Sequence, residues 1–163
     1  MGKRIRAQRR GSSPKNRVNS HRFPGANRLP RKDDEVGEVV DMIHSPVHTG
    51  PLAKLKFEDG TTGHVAATEG MFVGQKIAFG ENVSLRPGNV TTLNQIPEGT
   101  AICNVECRPG DGGKFARSGG NNAMLETRMG DKVRVRLPSG NLKDLPAKCR
   151  ATIGVLAGHG RTE

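Results

Sequence analysis

The stretch Leu52-Ala53-Lys54-Leu55-Lys56-Phe57-Glu58-Asp59-Gly60 decides the fold class. Ala53, Leu55 and Phe57 alternate with Lys54 and Lys56, the period of a strand with one face in a core and the other in water. The Asp59-Gly60 pair that follows has the chemistry of a tight hairpin. Residues 61–66 are therefore predicted to return alongside 52–57. Lys54 and Lys56 then share the outer face, where they are candidate contacts for a polyanion.

Working outward, residues 37–44 and 73–79 are β-compatible, and the chain turns turn-rich over 86–99 with Pro87-Gly88 and Pro97. A second set of predicted strands covers 101–107, 123–129 and 132–137, with a short pairing near Leu142 across the Pro138-Ser139-Gly140-Asn141 turn. No segment sustains a helical stripe over about ten residues. Short strands separated by Gly and Pro indicate small barrels or sandwiches. The break at 86–99 suggests two units of about 60 residues each, a size that is marginal in isolation. In 132–137, Val133, Val135 and Leu137 share one face, and Lys132, Arg134 and Arg136 the other. Same-face residues stand roughly 6.6 Å apart along a strand, so these three cations form a row suited to a phosphate backbone. An ordinary solvated strand face has the same pattern.

The charge distribution points to the partner. The 163 residues have a formal net charge of +10. Residues 1–32 hold eleven basic side chains and no Asp or Glu, among them Lys3, Arg4, Arg6, Arg9, Arg10, Lys15, Arg17 and Arg22. The remainder holds 15 basic and 16 acidic residues, so the excess resides in the N-terminal arm. The arm is poor in large apolar residues and shows no period. It is predicted to be disordered alone and to fold along a polyanion, most often a nucleic acid. A solvated solubility tail and a nuclear-localisation patch are the alternatives for the same charges. Asp33-Asp34-Glu35 end the arm abruptly.

Other chemistries fit poorly. No apolar run approaches the ~18 residues of a membrane span, and no apolar h-region follows the basic N-terminus. The Gly-rich stretch 109–120 invites a phosphate-loop reading. In the Walker pattern, however, Arg108 stands where the first Gly belongs and Phe115 where the magnesium-binding Ser or Thr belongs. The loop can still let a partner approach its backbone closely, with Lys114 and Arg117 to hold phosphates. Cys103, Cys107 and Cys149 contain no CxxC pair and read as reduced thiols, buried as small hydrophobes rather than zinc ligands; Cys103 and Cys107 would share a strand face. His44 and His48 have metalloprotease spacing, but Pro46 separates them and no Glu follows His44.

A resemblance appears over residues 97–154. Pro97-Glu98-Gly99-Thr100, Cys103-Asn104-Val105-Glu106, Pro109-Gly110-x-Gly112-Gly113-x-x-Ala116-Arg117-Ser118-x-Gly120, Arg136-Leu137-Pro138-Ser139-Gly140 and Cys149-Arg150-Ala151-Thr152-Ile153-Gly154 follow in order. Together with the basic start at Gly2-Lys3-Arg4-Ile5-Arg6, they resemble the ribosomal protein L-two family of the large subunit, in its archaeal and eukaryotic form. The resemblance implies an all-β chain: an OB-fold barrel followed by an SH3-like barrel, with a basic extended N-terminal arm. It divides the chain into an arm at 1–35, an OB-fold RNA-binding domain with its connecting loop at 36–96, and an SH3-like domain at 97–163.

What the resemblance implies about function is a non-enzymatic constituent of the cytoplasmic ribosome. Such a protein binds large-subunit ribosomal RNA, contacts neighbouring ribosomal proteins, and supports assembly, subunit association and tRNA placement. It needs no catalytic residue, metal, cofactor, small-molecule substrate or membrane. An RNA-binding module working off the ribosome is the alternative. The resemblance implies RNA contacts at the arm, at the first barrel and at Arg117 of the Ala-Arg-Ser loop; Lys114, Arg134, Arg136 and Arg150 are further candidate RNA contacts. His48 stands where the family usually has an RNA-contacting Arg, and imidazole is largely neutral near pH 7. The family continues past Gly158-x-Gly160-Arg161 with a basic, Gly- and His-rich extension that this sequence does not include. A role near peptide-bond formation is therefore not carried over.

Overall fold

A computed structural model describes residues 2–3, 5–12, 23–32 and 34–160. The predicted hairpin is present. β1 (Val36–Ile43) pairs antiparallel with β2 (Leu52–Phe57), which pairs with β3 (Thr62–Ala66). Gly60 has φ +80°, and Asp59 Oδ1 accepts from the Thr61 N–H and hydroxyl (2.9 and 2.6 Å), closing the turn. Ala53, Leu55 and Phe57 are buried, while Lys54 is half-buried and Lys56 exposed. β4 (Lys76–Ala78) adds to the far side of β1, giving the order β3-β2-β1-β4. A register shift between Val39 and Asp41 marks a bulge in β1.

The second sheet has the order β5-β10-β6-β7-β8-β9, from β5 (Val90–Thr92), β6 (Ala101–Cys103), β7 (Ala123–Met129), β8 (Lys132–Arg136), β9 (Leu142–Pro146) and β10 (Arg150–Ile153). All pairs in both sheets are antiparallel. Each sheet owns a core. Leu29, Val39, Leu55, Phe57, Ile77 and Phe79 fill the first. Leu93, Ile96, Ile102, Leu125, Val133, Val135 and Leu145 belong to the second. The architecture is all-β, consistent with an OB-fold barrel plus an SH3-like barrel. The units are joined by bridges between Phe79 and Val90 and between Thr68 and Leu156, and by the Ala157 N–H donating to Ala67 O (2.9 Å).

Four details differ from the sequence expectation. The strand expected over 73–79 starts only at Lys76, because residues 72–75 close a turn through Gly74 at φ +89°. The strand expected over 101–107 ends at Cys103, because Asn104 takes φ +49°. Cys103 and Cys107 therefore do not share a strand face. β5 lies in the stretch read as a connector, and the division between 96 and 97 separates it from its own sheet. β10 is buried at all four positions, so it shows no alternation to read.

The arm differs most. Arg6–Ser12 forms a short helix, α1, in a run of helix-tolerant Arg, Ala and Gln. Residues 23–32 are not a free tail but pack between the two sheets. Leu29 is 1% exposed and sits in the first core. Burying a leucine contributes about 1.5–3 kcal/mol, enough to help seat a segment that has no regular structure of its own.

Candidate nucleic-acid interface

The Gly-rich loop is built around one buried carboxylate. Glu106, 0% exposed, accepts from the Gly110 N–H (3.1 Å) and Arg150 N–H (3.0 Å) at Oε2. Its Oε1 accepts from the Gly112 N–H (3.1 Å) and Arg150 Nη2 (2.9 Å). Asp111 closes the rest of the turn, accepting from the Cys107, Arg108 and Gly113 N–H groups (3.1–3.2 Å). The amides of Gly110, Gly112 and Gly113 are thus committed to internal carboxylates. The loop is not a phosphate cradle, because its anions are its own side chains.

What the missing Cβ atoms admit is the arm. A Cβ on Gly112 would run into the Arg28 side chain, and the Gly112 carbonyl accepts from the Leu29 N–H (2.9 Å). Asn27 is 4% exposed, and its Oδ1 accepts from the Ala66 N–H (3.0 Å) and Asn104 Nδ2 (3.3 Å). The Arg28 N–H donates to His64 O (3.2 Å). Two arginines complete the seat: Arg117 Nη2 donates to Asn27 O (2.6 Å) and Arg150 Nη1 to Pro30 O (2.8 Å). Lys32 then pairs with Glu35 (3.1 Å) and with Asp59 of the first hairpin, and lies 5.5 Å from the Phe57 ring. Its ammonium and the Thr61 donors hold Asp59 down to about pKa 2.

His48 meets the same corner from the first barrel. Its Nδ1 is 2.8 Å from Ser45 Oγ, and the neighbouring Thr49 Oγ1 accepts from the Gly119 N–H (2.7 Å). Burial, and then the Arg117 charge, push the His48 pKa below its ordinary 6.5. An open cleft of about 310 Å³ is lined by Arg28, Lys114 and Arg117 with Asp111. Arg28 and Lys114 are exposed and Arg117 is half-buried. Sequence reasoning counted Arg28 only among the arm's charges. The close approach over Gly112 makes it part of this cluster, and that contact is visible only in the fold.

The remaining sequence-predicted residues divide into three groups. Lys3, Arg6 and Arg10 are exposed in the arm and Arg9 lies in α1, while Arg4, Lys15, Arg17 and Arg22 are outside the described residues. Lys54 and Lys56 lie opposite Asp41 and Glu38 across the β1–β2 register. Three predicted contacts are engaged inside the protein. Arg150 is 8% exposed and turned inward onto Glu106 and Pro30. Arg134 pairs with Asp144 through two hydrogen bonds (2.8 and 3.0 Å), and Arg136 with Glu126. The cation row on β8 is therefore largely neutralised by its neighbouring strands, as on an ordinary solvated face.

Cys103 and Cys149 are buried thiols with pKa values pushed up to about 12, first by burial. Among the described residues no cluster of three His, Cys, Asp or Glu is arranged to hold a metal, and no helix is long and apolar enough to cross a membrane.

Residues 86–163 match the family described as Ribosomal Proteins L2, C-terminal domain, a span that includes every strand of the second sheet. The large ribosomal subunit protein uL2 of Archaeoglobus fulgidus is 45% identical over 166 residues, covering 100% of this chain and 70% of the relative. The uL2 of Natronomonas pharaonis is 48% identical over 167 residues, covering 100% and 69%. The chain belongs to the uL2 family of large-subunit ribosomal proteins. A third uL2, from Methanothermobacter thermautotrophicus, is 46% identical over 171 residues. These uL2 relatives are archaeal, in keeping with the archaeal and eukaryotic form that the quoted motifs resemble.

Proposed function

We propose that this chain is a structural, non-catalytic constituent of the large subunit of the cytoplasmic ribosome. It binds large-subunit ribosomal RNA early in assembly and, with neighbouring ribosomal proteins, supports subunit association and tRNA placement. The observation that carries this reading is the convergence at the arm seat. The two arginines of the family motif hold the arm's backbone, and the arm emerges beside the exposed cations Arg28 and Lys114. RNA following the arm would meet those cations without a further ordering cost. The short helix α1 carries two further exposed cations, Arg6 and Arg10.

The test is salt dependence. Residues 1–22 hold eight cations. If about four of them meet phosphates at ~0.7 released counterions each, removing 1–22 should reduce the slope of log K against log salt by about 3. The truncation leaves the seated residues 23–32, so the body keeps its fold. Equal slopes for the two proteins would reduce the arm to a solubility tail.

A further inference from the structure

Phe supplies the five benzene rings of this chain, which has no Trp or Tyr. Phe57 and Phe79 pack together in the first core, with centroids 5.6 Å apart. Phe115 is half-buried with the Lys143 ammonium 4.5 Å over its ring, and Phe23 is half-buried in the seated arm. Phe72 differs from all four: it is 64% exposed, beside Val73 at 56%.

The turn that displays it is tied down. The Gln75 N–H donates to Phe72 O (3.2 Å), and Gln75 Oε1 accepts from the Phe72 N–H (3.3 Å). The Gly74 N–H donates to Val39 O (2.7 Å), the Val39 N–H to Gln75 O (2.9 Å), and Gln75 Nε2 to Pro87 O (3.2 Å). Met71, one residue before, packs on the first core. The ring is therefore held out in water by a braced turn. It lines an open cleft of about 490 Å³ with Lys76, Arg86 and Pro87, and with Glu69 as the one carboxylate. Lys76 lies opposite Glu38 on β1, and Glu38 lies opposite Lys56 on β2. Glu38 thus stands between Lys76 and Lys56 on one face of the first sheet.

We propose that Phe72 is a stacking platform for an unpaired RNA base, with Lys76 and Arg86 holding the flanking phosphates. Every base has a π-face, so a pre-ordered aromatic beside cations accepts single-stranded RNA with little sequence preference. An apolar side chain of a partner protein could cover the same ring. The two cations in the cleft lining, Lys76 and Arg86, against the single carboxylate Glu69, favour a polyanion. The site rests on the RNA-binding reading above.

The chain's lack of Trp and Tyr provides the test. In Phe72→Trp the new indole is the sole strong fluorophore, and the probe is a transcript of the large-subunit ribosomal RNA. Its emission is expected to be quenched as RNA saturates. Phe72→Ala and Phe72→Leu are expected to bind about tenfold more weakly, and Phe72→Trp as well as wild type, all with an unchanged thermal midpoint because the ring is exposed. Unquenched emission with RNA bound, or wild-type affinity in Phe72→Leu, would overturn the site; the latter indicates a plain apolar contact. If wild type binds and only these effects are missing, the stacking site alone fails. If wild type does not bind, the RNA-binding reading fails and the site with it.

Discussion

Glu106 Oε1 lies 2.9 Å from Arg150 Nη2, and both residues are buried, at 0% and 8% exposure. The carboxylate also accepts three backbone N–H groups, and the guanidinium also reaches Pro30 O. One buried ion pair thus ties the Gly-rich loop, the start of β10 and the arm together. Removing one partner of such a pair leaves an uncompensated buried charge, at a cost of about 3–5 kcal/mol. Glu106→Gln keeps the shape and should lower unfolding free energy by that amount in urea titrations. A loss below about 1 kcal/mol would mean that water already screens the pair.

Arg117 is expected to matter through the arm. Its half-buried guanidinium donates to a backbone carbonyl, Asn27 O, rather than to a nearby acid. A hydrogen bond from a charged donor contributes about 1.5–3 kcal/mol, and partial exposure places this one at the lower end. Arg117→Ala should lower the thermal midpoint and speed amide exchange at Leu29, whose N–H bonds Gly112 O. It should also weaken RNA binding more in the full chain than in a protein lacking residues 1–22. Equal fold-losses in the two backgrounds would show that Arg117 acts on RNA independently of the arm.

The strands with one wet face were legible because alternation records a single buried side: 52–57 and 132–136 read directly. β10 was not, since both its faces are covered and Arg150-Ala151-Thr152-Ile153 offers no period. β5 is three residues, too short for a period to register, and β4, equally short, is found inside the longer candidate 73–79. The arm's seat was illegible for another reason. Composition averages over eleven charges, whereas Asn27, Leu29 and Pro30 are held by individual long-range bonds to Ala66, Gly112 and Arg150. Arg117 and His48 were singled out in the sequence, yet not as neighbours of each other. That proximity belongs to the packing of two barrels.

Two glycines separate conformation from space. Gly60 and Gly113 both have positive φ, +80° and +92°. Nothing lies within 4 Å of a Cβ built on Gly60, whereas one on Gly113 would stand 2.8 Å from the Asn104 carbonyl oxygen. Gly60→Ala should therefore cost only the left-handed strain, about 1–2 kcal/mol. Gly113→Ala adds a backbone collision in a packed loop, a further ~1–3 kcal/mol. Denaturant midpoints of the two variants give the comparison, and equal losses would mean that the Asn104 backbone yields freely.

His48 should give the fold a pH dependence between neutrality and mild acid. Its pKa is lowered in the folded state, first by burial and then by the Arg117 charge. The unfolded chain therefore binds the proton more readily than the folded one, and stability rises with pH wherever the two differ. The sign follows. Above the ordinary 6.5 both states are neutral and there is no penalty. As pH falls below 6.5 the unfolded state is favoured increasingly, until the depressed folded pKa is passed and the penalty levels off. His48→Asn should remove this slope, and Arg117→Ala should reduce it by removing the smaller of the two causes. The measurement is the urea midpoint at fixed ionic strength across pH 5–8 for wild type and both variants. The wild-type minus His48→Asn difference cancels the contributions of the other histidines. A difference that stays flat across this window would show that imidazolium is tolerated beside Arg117, and that the Ser45 contact, rather than charge, sets the geometry of this corner.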